Sequence, residues 1–452
     1  VRVHFISIGG SVMHQLAIAL RQKGYQVTGT DDEIFEPAKS NLEKAGLLPL
    51  KIGWQEDMIT ADLDAVILGM HAKADNPELV KARELGLKIY SFPEYIYQES
   101  KQKKRVIVGG SHGKTTTTSM IMHVLQQQHQ AFDYLVGAKL DGFAQSVNIT
   151  DAPVIVCEGD EYPASALEKR PKFHFLFPHV AILTGIAWDH INVFPTFDIY
   201  LEQFRIFIDK IEKDGILIYN ETDPVLKELV NSHHRTDIRY QPYGVPAHTI
   251  ENGKTRIQLE GVEGDMQVFG NHNLMNLNAA WYACKELGMQ AADFVKAISN
   301  FKGAAKRLEL MAAGKTVNVY RDFAHAPSKV KATIEAVKQQ YPTRALYAVL
   351  ELHTYSSLNE QFMQEYKGAM DKADHAVVFY SKHALELKRM PDLPADIVKA
   401  GFAKEGLQVF TDKDLLWQWL QQQTYTNASV LFMSSGVYDG LDITGFAAGI
   451  VD

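Results

Sequence analysis

The stretch Gly109-Gly110-Ser111-His112-Gly113-Lys114-Thr115-Thr116 carries the strongest chemical signal in the chain. It follows the apolar run Val106-Ile107-Val108 and leads into a helical pattern over 117–127. Glycines let successive backbone N–H groups turn toward one anion, and the new helix adds the positive end of its dipole. In that setting Gly110, Ser111, His112, Gly113 and Thr116 line a phosphate cradle. Lys114 neutralises the β- and γ-phosphates, and the Thr115 hydroxyl faces Mg²⁺. The general pattern asks for a glycine where Val108 stands, so the motif is the shorter G-x-x-G-K-T. A bare glycine-rich turn with a surface lysine would share these letters; the strand before and the helix after select nucleotide binding.

Two further clusters follow apolar runs. Cys157-Glu158-Gly159-Asp160-Glu161 comes after a strand pattern at 154–157, and Trp188-Asp189-His190 after one at 180–184. In a parallel sheet, residues beyond the carboxyl ends of the strands share one rim, where ligands bind. Alone, Glu158 is an ordinary solvated loop acid and His190 a hydrogen-bonded loop histidine. Beside a phosphate loop they become, with Thr115, an expected Mg²⁺ or Mn²⁺ set, phosphates supplying the remaining ligands.

These residues need sheets to hold them. Apolar runs alternate with helical patterns along nearly the whole chain, which predicts an α/β protein with mainly parallel sheets flanked by helices. At 452 residues the chain is too long for one core, and three domains are expected. A Rossmann-like domain covers 1–100, a P-loop domain 101–302 and a second Rossmann-like domain 303–452. The first opens with a strand ending at Gly9-Gly10, a helix over 12–23 closed by Gly24, and a second strand ending on Asp31. Strands are also expected at 65–68, 88–90, 317–320, 345–350, 376–380 and 430–433, an antiparallel patch over 238–270, and a helix over 273–287. Hinges fall near 100 and 303.

The net charge of −8 is spread without blocks, which argues against a general nucleic-acid or anionic-membrane partner. Cys157 and Cys284 are the two cysteines, and their separation fits neither a metal-ligand spacing nor a disulfide framework. The chain opens directly into a strand pattern, without a leader signature, and lacks an apolar run long enough for a bilayer. The expected location is the cytoplasm. His4, His14, His174 and His179 are expected to be structural or exposed, and 173–177 to be core.

Taken together, Gly109 to Thr118, Glu158-Gly159-Asp160-Glu161, Asp189-His190, Gly270-Asn271-His272-Asn273-Leu274-Met275-Asn276, Lys306-Arg307 and Asp322-Phe323-Ala324-His325-Ala326-Pro327 resemble the Mur ligase family. That family builds the peptide of bacterial peptidoglycan. The opening 6–10 and the Ser-His-Gly-Lys loop are similar to its muramate-recognising branch. Within it, 168–173 and 433–440 are more similar to the enzyme that reattaches a recycled tripeptide than to the one that adds alanine.

The resemblance implies an ATP-dependent amide-bond ligase. ATP phosphorylates the lactyl carboxylate of UDP-N-acetylmuramate, and an amine attacks the acyl phosphate, releasing ADP and phosphate. The amine is expected to be L-alanyl-γ-D-glutamyl-meso-diaminopimelate, with L-alanine as the alternative. Lys114, Glu158, His190 and His325 are the implied catalytic residues. His272 and Asn273 would contact adenine, Arg307 the nucleotide phosphates and Asp322 the ribose region. Gly10, Ser11, Val12, Met13, Asp31, His71, Asp75 and Asn76 would receive the UDP part. His325, His353, Ser434 and Ser435 would face the amine substrate.

The chain departs from the family pattern at Arg321 and Ala326, where paired Asp-Asp and His-His are common, and at Ala187, where an acid is usual. Arg205 stands near the place of a carbamoylated lysine in other branches. Two other classes compete. An NAD-dependent oxidoreductase is suggested by Gly9-Gly10 and Asp31, but Val12 and Met13 break the G-x-G-x-x-G spacing. A non-catalytic nucleotide-binding protein is made conceivable by Arg321 and Ala187.

Overall fold

Runs such as Val106-Ile107-Val108 and Val66-Ile67 lack the alternation of a one-sided sheet, so they must be covered on both faces. In the computed structural model all five side chains are wholly inaccessible. The structure describes every residue except 141, 189–192, 304–306 and 452. It divides into two compact units, Val1–Val245 with Met275–Ile298, and Pro246–Leu274 with Ser299–Asp452.

The first unit holds two sheets. One is four-stranded and parallel, in the order Gln26–Thr30, Arg2–Ile6, Ala65–Leu68, Ile89–Ser91. The other is seven-stranded, in the order Arg239–Tyr243, Ile216–Asn220, Val180–Leu183, Lys104–Gly109, Val154–Glu158, Asp133–Leu135, Val147–Asn148. The pairing of its last two strands is antiparallel. Helix Ser11–Gln22 buries Met13, Leu16, Ala17 and Leu20, a spacing that keeps one stripe against the sheet. A continuous cluster of buried apolar residues includes Val3, Leu16, Ile107, Phe204 and Leu217.

One strand differs from expectation. Arg239–Tyr243 lies within the region read as antiparallel, yet it pairs in parallel with Ile216–Asn220 at the sheet edge. Its Pro242 is tolerated there because an edge position need not donate to a second neighbour. The antiparallel patch itself is Ala247–Glu251, Lys254–Leu259 and Val262–Met266. It belongs to the second unit, where the Thr255 hydroxyl donates to buried Gln340 at 2.8 Å.

The second unit's main sheet runs Glu309–Ala313, Val317–Asp322, Ala428–Met433, Ala345–Glu351, His375–Phe379, Gln408–Phe410. Its first pairing is antiparallel and the rest are parallel. Among the described residues no helix is long and apolar enough to cross a membrane. Cys157 and Cys284 are buried and unbridged.

His4 is fully buried between Thr28 and Glu78. His174 is buried too, its Nε2 2.8 Å from the Gln203 carbonyl. Burial pushes its pKa from 6.5 down to about 4, against the pull of that carbonyl. In this interval an unfolded chain takes up a proton that the folded chain refuses, so stability falls as pH falls, by roughly 3 kcal/mol at most. Urea unfolding between pH 7 and about 4 should therefore show a smaller acid loss in His174→Phe than in the wild type. Equal losses would assign the effect to other groups.

Candidate functional site

The phosphate loop springs from the centre of the seven-stranded sheet. Strand Lys104–Gly109 ends there and helix Lys114–Gln127 begins at Lys114. Gly110 and Gly113 have φ of +121° and +84°, a region closed to most side chains. Space excludes them as well: a Cβ would lie 2.8 Å from the Thr184 nitrogen at Gly110, and 2.5 Å from Asn276 Oδ1 at Gly113. The loop is pinned by Ser111 N donating to the Gly185 carbonyl at 2.9 Å and by the Thr184 hydroxyl donating to the His112 carbonyl.

Lys114 Nζ donates to the Gly110 carbonyl at 2.6 Å and to Glu161 Oε2 at 2.9 Å. Thr115 Oγ1 donates to Glu158 Oε1 at 2.7 Å, and Gly137 N donates to Glu158 Oε2 at 3.0 Å. Residues 43 positions apart in the chain thus meet at the loop. A hydroxyl and a carboxylate side by side are hard oxygen donors, and they fit a Mg²⁺ ion. His190, the third expected ligand, and Asp189 lie outside the described residues. Burial alone would raise the Asp160 pKa, but Lys172 at 2.6 Å and the Tyr162 amide outweigh it and hold the carboxyl below its ordinary range.

At the amino end of the first unit, Gly9 N donates to Asp31 Oδ2 at 2.7 Å. Asp31 is fully buried, and burial raises its pKa despite that amide and His71. His71 Nδ1 stands 3.7 Å from Asp31 and 3.9 Å from Asp32. Gly10 precedes helix Ser11–Gln22, whose Ser11 and Val12 lie near solvent while Met13 is buried. Asn76 caps helix Pro77–Glu84 by accepting from Leu79 N at 3.1 Å; Asp75 is exposed.

In the second unit, buried Asn273 donates to the Phe269 carbonyl at 3.0 Å. His272 is pushed down to about 4 by burial and then by the Arg307 cation, so its ring is neutral at ordinary pH. Arg307 lies 5.5 Å from the Phe323 ring centre. Both Asp322 oxygens accept backbone amides, from Leu308 at 2.5 Å and Ala324 at 2.6 Å. Burial nevertheless raises the Asp322 pKa. His325 Nδ1 is 2.9 Å from the Phe323 carbonyl. A carbonyl only accepts, so Nδ1 carries a proton.

His353 and Ser434 share a group that sequence reasoning missed. Glu351 is buried at the end of its strand, accepts from the Ser434 hydroxyl and from Tyr438 N at 2.9 Å, and lies 3.9 Å from His353. An acid closing a parallel strand was the available signal. Among the described residues, the buried Ser435 hydroxyl oxygen has no hydrogen-bond partner. The three departures have structural places: Arg321 pairs across the antiparallel strands with Glu309 at 2.7 Å, Ala187 N donates to Ser111 Oγ at 2.8 Å, and Ala326 precedes helix Pro327–Gln340. Arg205 is ion-paired with Glu202 and Asp209 on its own helix.

Comparison with known proteins accounts for this arrangement. Residues 2–104 match the model of the Mur ligase family catalytic domain, 108–284 the Mur ligase middle domain and 306–436 the Mur ligase glutamate ligase domain. The chain is 31% identical over 391 residues to the UDP-N-acetylmuramate–L-alanine ligase of Arthrobacter sp. (strain FB24), covering 83% of this chain and 80% of that one. It belongs to the Mur ligase family. As a Mur ligase it is an ATP-dependent ligase of peptidoglycan synthesis. Solved Mur ligases share the fold. The UDP-N-acetylmuramate–alanine ligase of Thermotoga maritima superposes with a TM-score of 0.66 at 21% identity, covering 99% of this chain and 98% of that one. A murein peptide ligase of Psychrobacter arcticus gives 0.60 at 21% identity, covering 100% and 99%.

Proposed function

We propose that this Mur ligase joins the lactyl carboxylate of UDP-N-acetylmuramate to the amine of L-alanine. The relative with 31% identity carries that activity in its name, which supports alanine over the tripeptide favoured by segments 168–173 and 433–440. The tripeptide L-alanyl-γ-D-glutamyl-meso-diaminopimelate is the second reading, supported by those segments and by the likeness to a murein peptide ligase.

The observation that carries the chemistry is the meeting of Lys114, Thr115 and Glu158 at one loop. A carboxylate is a poor electrophile, and phosphorylation turns one oxygen into a leaving group. A bound Mg²⁺ supplies positive charge for the phosphate oxygens. Lys114 and backbone amides of the loop other than that of Ser111 neutralise the same charge and hold the transferring group in line. His325 Nε2 takes a proton from the attacking ammonium, with Nδ1 fixed by the Phe323 carbonyl. In this reading domains 1–100, 101–302 and 303–452 present the UDP-sugar, ATP and the amine respectively. The nucleotide substrates place the enzyme in the cytoplasm.

ADP release with UDP-N-acetylmuramate should require an amine, and L-alanine should give the highest kcat/KM in a panel that includes the tripeptide. A tripeptide preference would install the second reading; release without any amine would sink both. His325→Gln should lower kcat by about a hundredfold with little change in KM for ATP. Wild-type turnover in that variant would remove His325 from the chemistry.

A further inference from the structure

We propose that Glu161 is a positioning residue that presets Lys114 and ties the phosphate loop to the helix carrying Tyr200, an inference that rests on the ligase reading above. Glu161 is 1% exposed. Its Oε2 accepts from Lys114 Nζ at 2.9 Å, and its Oε1 accepts from the Tyr200 hydroxyl at 3.2 Å. Tyr200 Oη is also 2.8 Å from Ser111 Oγ, which accepts from Ala187 N at 2.8 Å. The donors run in one direction. Ala187 N–H serves Ser111 Oγ, the Ser111 proton goes to Tyr200, and the Tyr200 proton goes to Glu161.

Ser111 and Lys114 flank the turn at Gly113, so one buried carboxylate and one phenol join both sides of the loop. Tyr200 lies on helix Phe197–Asp209 with its ring 5.1 Å from that of Phe204 and 5.4 Å from that of Phe194. The tether is therefore anchored in the core of the first unit. A lysine on a flexible four-carbon stem samples many rotamers unless something holds its ammonium. Holding the ammonium beside the loop before nucleotide arrives spares that ordering in the transition state, where preset charge acts without reorganisation. Glu161 touches neither substrate nor metal in this scheme; it acts through Lys114.

The test is steady-state kinetics of ADP release with ATP varied, alongside binding of a fluorescent ATP analogue and a melting curve. Glu161→Gln keeps an acceptor for Tyr200 and removes the charge that holds Lys114. It should lower kcat about tenfold or more while KM for ATP and the analogue affinity stay within about threefold. Glu161→Asp should recover part of kcat. Tyr200→Phe keeps the packing, breaks the link to Ser111 and should lower kcat by about threefold; it carries the test if Glu161→Gln folds poorly. Wild-type kcat in Glu161→Gln, or a loss confined to KM and affinity, overturns the proposal, as does wild-type kcat in Tyr200→Phe should that variant stand alone. If the wild type releases no ADP with any muramate and amine pair, the ligase reading fails instead, so the two failures are distinct.

Discussion

Lys114→Ala should lower kcat by about a thousandfold. Lys114 lies where a glycine-bound loop turns into a helix, its ammonium 2.6 Å from the Gly110 carbonyl and 2.9 Å from Glu161. Phosphoryl transfer asks the protein for little covalent help and much charge neutralisation, so the loss appears in the rate. Lys114→Arg should recover little, because a planar fork does not reproduce a compact point charge. Truncation also takes the Lys114 ammonium away from buried Glu161, so the melting temperature should fall by several degrees. Single-turnover ADP formation at saturating ATP measures the chemical step; a loss under about tenfold would mean that the loop binds nucleotide without Lys114 acting in transfer.

Glu158→Gln should cost a comparable factor, about a thousandfold at low Mg²⁺, with partial recovery as Mg²⁺ is raised. The carboxylate ends strand Val154–Glu158, receives the Thr115 hydroxyl at 2.7 Å and the Gly137 amide at 3.0 Å. An amide of the same shape keeps an acceptor for one of those donors but removes the anionic oxygen that a hard cation prefers. The diagnostic feature is the displaced Mg²⁺ titration. A variant slowed equally at every Mg²⁺ concentration would make Glu158 a scaffold for Thr115, with no part in holding the ion.

Much of this was legible in the letters because parallel strands announce themselves as short, unbroken apolar runs. Val106-Ile107-Val108, Val180 to Leu183 and Ala345 to Leu350 are all strands, and the rule that ligands gather at strand ends brought Glu158 to Thr115. What failed to show was anything decided by pairing. Arg239–Tyr243 alternates like an antiparallel strand yet joins a parallel sheet, since pattern reports which face is buried and says nothing of the neighbour's direction. Glu309–Ala313, with its half-exposed residues and a register shift between Leu310 and Ala312, was hidden because Leu310-Met311-Ala312-Ala313, though apolar, is made of helix-favouring residue types. The supporting residues were hidden for a related reason. Tyr200 and Glu351 reach Ser111 and Ser434 across 89 and 83 positions, and a buried tyrosine or strand-end acid looks the same whether or not it supports a site. Arg321, which raised doubt as a departure, pairs with Glu309 across two strands, a partner visible only once the register is known.

Oxygen transfer offers the decisive measurement. UDP-N-acetylmuramate labelled with ¹⁸O in its lactyl carboxylate should, during turnover with ATP and an amine, pass one labelled oxygen into the inorganic phosphate released. That follows because the carboxylate oxygen that attacks the γ-phosphorus leaves with it when the amine displaces the acyl phosphate. Phosphate that carries no label, while the amide product accumulates, would mean that the carboxylate is never phosphorylated.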